Sequence, residues 1–166
     1  MKKKLMAIAA VFCCVMTMTV FTACGDDDDN PYIDNKKPVA VLMNYSFTTT
    51  SEMLNVFDLT IEYYDANGAI QTEQMTNAQW NKSLRTKIPT TVGARLTAKV
   101  KSGVDVASME KVTVASGYEY EGHPVSADNS VAGTVIGGGS STSLDMAGNK
   151  VAEYLTKHQD GFEVPL

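Results

Sequence analysis

Phe57-Asp58-Leu59-Thr60-Ile61-Glu62-Tyr63-Tyr64, followed at once by Asp65-Ala66-Asn67-Gly68, is the stretch on which the fold turns. Large apolar residues at 57, 59, 61 and 63 alternate with mostly polar ones, which puts one wet and one dry face on an extended strand. Asp at the first place of the next four residues, Asn at the third and Gly at the fourth fit a type I turn closed by a left-handed glycine. The chain from Ala69 to Met75 is therefore predicted to return as the hairpin partner.

The same period of two extends outward on both sides. Val39, Val41, Met43, Tyr45 and Phe47 alternate with smaller or polar residues, and Thr48 to Ser51 form a polar break. Beyond the hairpin, Trp80, Leu84 and Ile88 mark a strand broken at Pro89. Ala94, Leu96, Ala98 and Val100 mark another, with Arg95, Thr97 and Lys99 on its wet side, before a turn at Ser102-Gly103. Val112, Val114, Tyr118 and Tyr120 give a strand to about Glu121, with Gly117 as a candidate bulge. Val131 to Ile136 gives a short one.

Helical spacing enters only near the end. Thr142-Ser143-Leu144-Asp145 has the form of a capping box, and Leu144, Ala147, Val151, Tyr154 and Leu155 then fall on one helical face. Gly148 weakens that helix, and Gly161 is a natural stop. Phe162-Glu163-Val164 alternates once more as an edge strand. Short strands separated by turn signals predict a mainly β fold: an antiparallel β-sandwich of about seven strands, immunoglobulin-like in the loose sense, with one C-terminal helix.

The first 37 residues have a different character. Lys2, Lys3 and Lys4 precede an apolar run from Leu5 to Phe21, the order that export machinery reads. The run is shorter than a membrane span needs. It ends in Phe21-Thr22-Ala23-Cys24-Gly25, which resembles the lipobox of bacterial lipoproteins: an apolar residue three before the cysteine, small residues at the cut, glycine after it. Phe21 departs from the more usual leucine. The resemblance implies cleavage before Cys24, lipid on that cysteine, and an outer-membrane address in the cell envelope. Asp26-Asp27-Asp28-Asp29, directly after it, resembles the surface-export signal of lipoproteins from the Bacteroides group; without that resemblance it reads as a solvated, self-repelling linker. The expected organisation is a signal peptide over 1–23, a lipidated acidic tether over 24–37 and the β-sandwich over 38–166.

Charge and cysteine usage exclude several classes. The 166 residues carry 14 Lys+Arg and 19 Asp+Glu. Without the three N-terminal lysines, 11 stand against 19, a net of −8. Such a chain has no basic surplus to displace phosphate counterions, so nucleic acid is not expected as a partner. Cys13, Cys14 and Cys24 are the only cysteines. A mature chain starting at Cys24 has no thiol left for a disulfide or a metal.

Catalytic and metal motifs are weak. Asp65-Ala66-Asn67-Gly68 superficially matches a calcium loop, but that alignment puts Tyr63 and Gln74 where carboxylates are required. Gly137-Gly138-Gly139-Ser140-Ser141 lacks the Lys and Ser/Thr of a phosphate loop and reads as a flexible connection. His123 and His158 have no carboxylates at ligand spacing, no G-x-S-x-G elbow is present, and Glu119 and Glu121 share a strand face. No cofactor, no metal and no enzymatic activity are expected. Trp80 and Tyr64 are the candidates for stacking on a ligand, against the alternative that Trp80 anchors the core while Tyr63, Tyr118 and Tyr120 fill the space between sheets. The expected function is a lipid-anchored extracytoplasmic binding or structural module whose partner is a glycan or an envelope protein. The alternatives are an accessory subunit of an outer-membrane complex and, third, an enzyme of unrecognised class.

Overall fold

The computed structural model describes residues 37–166. The expected signal peptide, Cys13, Cys14, Cys24 and the Asp26–Asp29 run lie outside the described residues. Two four-stranded antiparallel sheets make up the architecture, with strand orders β4-β1-β6-β7 and β3-β2-β5-β8. The elements run β1 (Ala40–Thr49), α1 (Ser51–Val56), β2 (Phe57–Tyr64), β3 (Ile70–Met75), β4 (Gln79–Lys87), β5 (Thr91–Val100), a 3-10 turn at Val106–Ser108, β6 (Val112–Val125), β7 (Ile136–Met146), α2 (Gly148–Lys157) and β8 (Asp160–Pro165). It is the expected β-sandwich with one helix near the end, built from eight strands.

One continuous core fills the space between the sheets. Val41, Met43, Tyr45 and Phe47 of β1 enter it from one side, and Phe57, Leu59, Ile61 and Tyr63 of β2 from the other. Both strands point every second residue inward, as their sequence alternation demands. Fully burying each such side chain contributes about 1.5–3 kcal/mol. The β2–β3 turn forms as the sequence predicts. Gly68 has φ +77°, its N–H donates to the Asp65 carbonyl at 3.0 Å, and Asp65 Oδ1 accepts from the backbone N–H of Asn67 and Ala69 at 2.8 and 3.0 Å. Those two amides hold the Asp65 carboxyl below its ordinary pKa.

Four local expectations are corrected. The polar stretch after Phe47 does not end the strand: β1 runs to Thr49, and Thr50 Oγ1 then accepts from Met53 N at 3.2 Å to cap α1. Gly117 is not a bulge, since β6 pairs with β1 and β7 in unbroken register through it. The strand expected over 131–136 begins where it was expected to end. Val131 makes only an isolated bridge to Val125, whereas Ile136 to Met146, including the glycine-serine run, forms the long strand β7.

The predicted capping box is the fourth correction. Asp145 is on β7, bonded to Thr113 Oγ1 at 2.7 Å and to Lys111 Nζ at 2.7 Å, so cross-strand partners displace the local cap. The helix starts at Gly148, behind Ala147, which offers no side-chain cap, and it ends at Lys157, short of Gly161. Gly148 is the residue that lets it dock. A Cβ there would lie 1.8 Å from the Val106 carbonyl oxygen, so only glycine allows the helix start against the 3-10 turn. Val151, Tyr154 and Leu155 then face the core as their spacing implies. Leu144 belongs to β7 instead.

Candidate functional site

The two predicted stacking residues are not brought together. Trp80 on β4 turns toward the space between the sheets, its ring centroid 6.0 Å from Phe47 and 5.5 Å from Tyr63. Its Nε1 donates to Glu73 Oε2 at 2.8 Å. Tyr64 follows Tyr63 on β2 and so points to the opposite, outer face of that sheet. Tyr63 and Tyr120 are buried between the sheets and Tyr118 is half-buried.

Around Trp80 the geometry is that of a clamp. Glu73 on β3 accepts from Tyr63 Oη at 2.6 Å, from Trp80 Nε1, and from Lys82 Nζ at 2.6 Å, with the Lys82 ammonium 5.0 Å from the Tyr63 ring centroid. Edge strands of the two sheets are thereby tied together through one carboxylate. The bonds from Lys82, Tyr63 and Trp80 hold the Glu73 pKa down at about 2, against an ordinary 4.5. A depressed folded-state pKa contributes stability above pH 4.5 that is lost as pH falls toward 2. Glu73→Gln is expected to cost about 1 kcal/mol at pH 7, since the site is partly open to water. The gap between the two proteins should close between pH 4.5 and 2 in urea-unfolding series. A gap that stays constant over that range would remove the clamp assignment.

Tyr64 lines a groove of about 480 Å³ on the outer face of the β3-β2-β5-β8 sheet. The strand register explains it. Thr72, Glu62, Arg95 and Gly161 stand across one row; Ile70 pairs with Tyr64 and Gly93 with Glu163, and the β2–β5 register carried one residue further sets these two pairs side by side as the next row. Glycine in each row leaves a gap in an otherwise covered sheet, and the gap is the groove floor. Tyr64 Oη reaches over Gly93 to Glu163 Oε2 at 3.5 Å, and Arg95 Nη2 pairs with Glu62 Oε2 at 2.5 Å. Ile70 stands 65% exposed at the rim. An aromatic face, an exposed aliphatic group, two carboxylates and a guanidinium thus converge on one volume of a size that takes small ligands.

Sequence reasoning finds Tyr64 and misses Glu62, Ile70, Arg95 and Glu163. Glu62 and Ile70 are open to discovery, since alternation and the turn put them on the Tyr64 face. Arg95 and Glu163 arrive through long-range strand pairing that no local pattern encodes.

Among the described residues, a second, smaller cavity also gathers polar groups. Ser116, His158 and Asp160 line one small cavity of about 80 Å³. Ser116 bonds directly to Asp160, while His158 Nδ1 sits 3.0 Å from the Tyr154 carbonyl and its ring stacks on Tyr154. A nucleophile activated by histidine needs the reverse order of contacts. His123 pairs with Glu121 on the exposed outer face of β6, where solvent competes for both. Among the described residues, no three or more His, Cys, Asp or Glu are grouped to hold a metal ion. The glycine-serine run, weighed above as a phosphate loop, is paired along β6 from Gly137 to Ser141. The chain matches no protein-family model, no curated protein and no solved structure at a significant level.

Proposed function

We propose that the protein is an outer-membrane lipoprotein, tethered through lipid on Cys24 and turned to the cell surface by Asp26–Asp29, that presents its β-sandwich to bind a glycan in the Tyr64 groove. The observation that carries the ligand class is the pairing of one aromatic face with flanking Glu163, Glu62 and Arg95. A pyranose has the matching chemistry. Its axial C–H face packs on an aromatic ring, and its rim of hydroxyls donates to carboxylates and accepts from a guanidinium. The two carboxylates outnumber the single arginine, which favours a neutral sugar over a uronate.

The test is a panel of neutral and acidic oligosaccharides probed with the full processed chain in detergent. Tyr64→Ala should weaken binding of the neutral ligand at least tenfold, about 1.4 kcal/mol. Trp80→Phe, which leaves the groove untouched, should retain it. Absence of binding across the panel, or a Tyr64→Ala protein that binds as well as its parent, would overturn the glycan reading.

A further inference from the structure

The four sheet edges of this sandwich are not alike. An edge strand offers a free row of N–H and C=O groups, and monomeric proteins protect such rows with charge, shortness or proline. β4 carries Lys82, Arg85 and Lys87. β3 and β8 have six residues each; β3 includes Glu73, and β8 includes Asp160 and Glu163 and ends at Pro165. β7 has none of these protections. It is eleven residues long, has no proline, and holds no charge from Ile136 to Leu144; its single charge, Asp145, is already paired with Lys111.

The side chains on β7 add a second observation. Its register against β6 sets Ile136 opposite Gly122, Gly138 opposite Tyr120 and Leu144 opposite Val114, so these residues point to the interior side of the sheet. Leu144 is nevertheless 43% exposed. Among the described residues, this inward-pointing leucine is left half in water and is not packed into the core cluster. Ile136 and Leu144 lie at equal distances, four residues either way, from Ser140. An antiparallel two-fold through Ser140 therefore sets Leu144 of each copy opposite Ile136 of the other, Gly138 opposite Thr142, and Ser140 opposite itself. Every interior-side residue meets an interior-side residue, which a shift by one position would destroy.

We propose that β7 is a self-association edge: two copies of this chain pair β7 to β7, antiparallel about Ser140, into one continuous eight-stranded sheet. The arrangement is isologous and closed, so it yields dimers and not fibres. Charge fits the same occupant. A mature chain with a net of −8 repels its copies over most approaches, and β7 is the edge where they meet without opposing charges.

Cysteine cross-linking of the full chain in detergent tests the register directly. Directly opposed residues in an antiparallel pair have Cα atoms about 4.5–5.5 Å apart, inside the range a disulfide spans. Ser140→Cys should form a disulfide-linked dimer under mild oxidation, well above the background of the parent chain. Asn81→Cys, on the exposed edge strand β4, should remain at background. Adding Leu144→Lys to Ser140→Cys should cut the yield at least tenfold while the circular dichroism of the fold is unchanged. A Ser140→Cys chain that cross-links only at background overturns the proposal, and so does cross-linking that survives Leu144→Lys. A chain that sediments as a monomer at roughly 100 µM also overturns it, and leaves β7 to a different extended polypeptide.

Discussion

Phe162→Ala is expected to destabilise the protein by about 3 kcal/mol and to abolish the Tyr64 groove with it. Phe162 is the inward-pointing residue of β8 that joins the aromatic cluster. Its ring stacks on Tyr120 at 4.0 Å and on Tyr118 at 5.7 Å, and meets Tyr45 edge-on at 5.4 Å. β8 is short and pairs on one side only, with β5. Ordering its six residues costs roughly 1–2 kcal/mol each in backbone entropy, which a single ladder of hydrogen bonds does not offset without side-chain burial. Removing the ring takes away the main part of that burial. The strand then detaches before the rest of the sandwich unfolds, and it carries Glu163 and Gly161 away from the groove. Two measurements check this: the urea midpoint, which should fall, and amide exchange, which should speed up over 160–165 while β1 and β2 stay protected. Phe162→Leu, which keeps much of the volume, should lose about half as much. Uniform exchange across both sheets would show that β8 is not a separate unit.

The fold is legible wherever one local pattern settles it. β1, β2, β4 and β5 are read from alternation, because each has a drier and a wetter face, and β3 is read from the Asp65–Gly68 turn that returns the chain beside β2. Apart from the end of β1 and the unbroken strand at Gly117, the errors lie between 131 and 148, where alternation fails. Gly137 to Ser143 contains no residue large enough to mark a dry face, so a strand held by pairing with β6 has the local look of a loop. The helix start is misplaced for the same reason: a locally plausible cap at Thr142 loses to a ladder of eleven pairs with β6. The sequence shows Gly148 only through its intrinsic cost in a helix, whereas its role is contact with the Val106 carbonyl. The candidate site divides in the same way. Tyr64 is visible as an aromatic residue on a polar strand face. Its groove is not, because Gly93 and Gly161 are informative only after β5 and β8 are placed beside β2 and beside each other.

Cys24→Ala carries the largest expected effect: complete loss of lipid labelling and accumulation of an uncut precursor. Only a thiol supplies the chemistry needed at that position. On the lipoprotein reading, its sulfur accepts the diacylglyceryl group, and cleavage exposes the amino group that takes a further acyl chain. One chain holds a protein to a bilayer only marginally, whereas several make the attachment stable, so all lipid-borne anchoring should depend on this one residue. Cys13 and Cys14 serve as internal controls, since neither is preceded by the small residues that mark a lipobox cut, and alanine at either should leave labelling intact. The experiment is clean with respect to the fold. The described residues 37–166 contain no cysteine, and among them the buried core begins at Ala40. Loss of lipid labelling would report the anchor and not a damaged domain. Labelling with a radioactive fatty acid, together with the gel mobility of precursor and mature forms, decides the matter. Fatty acid still incorporated by the Cys24→Ala chain would refute the anchor, and the Tyr64 groove would then need another way to reach its ligand.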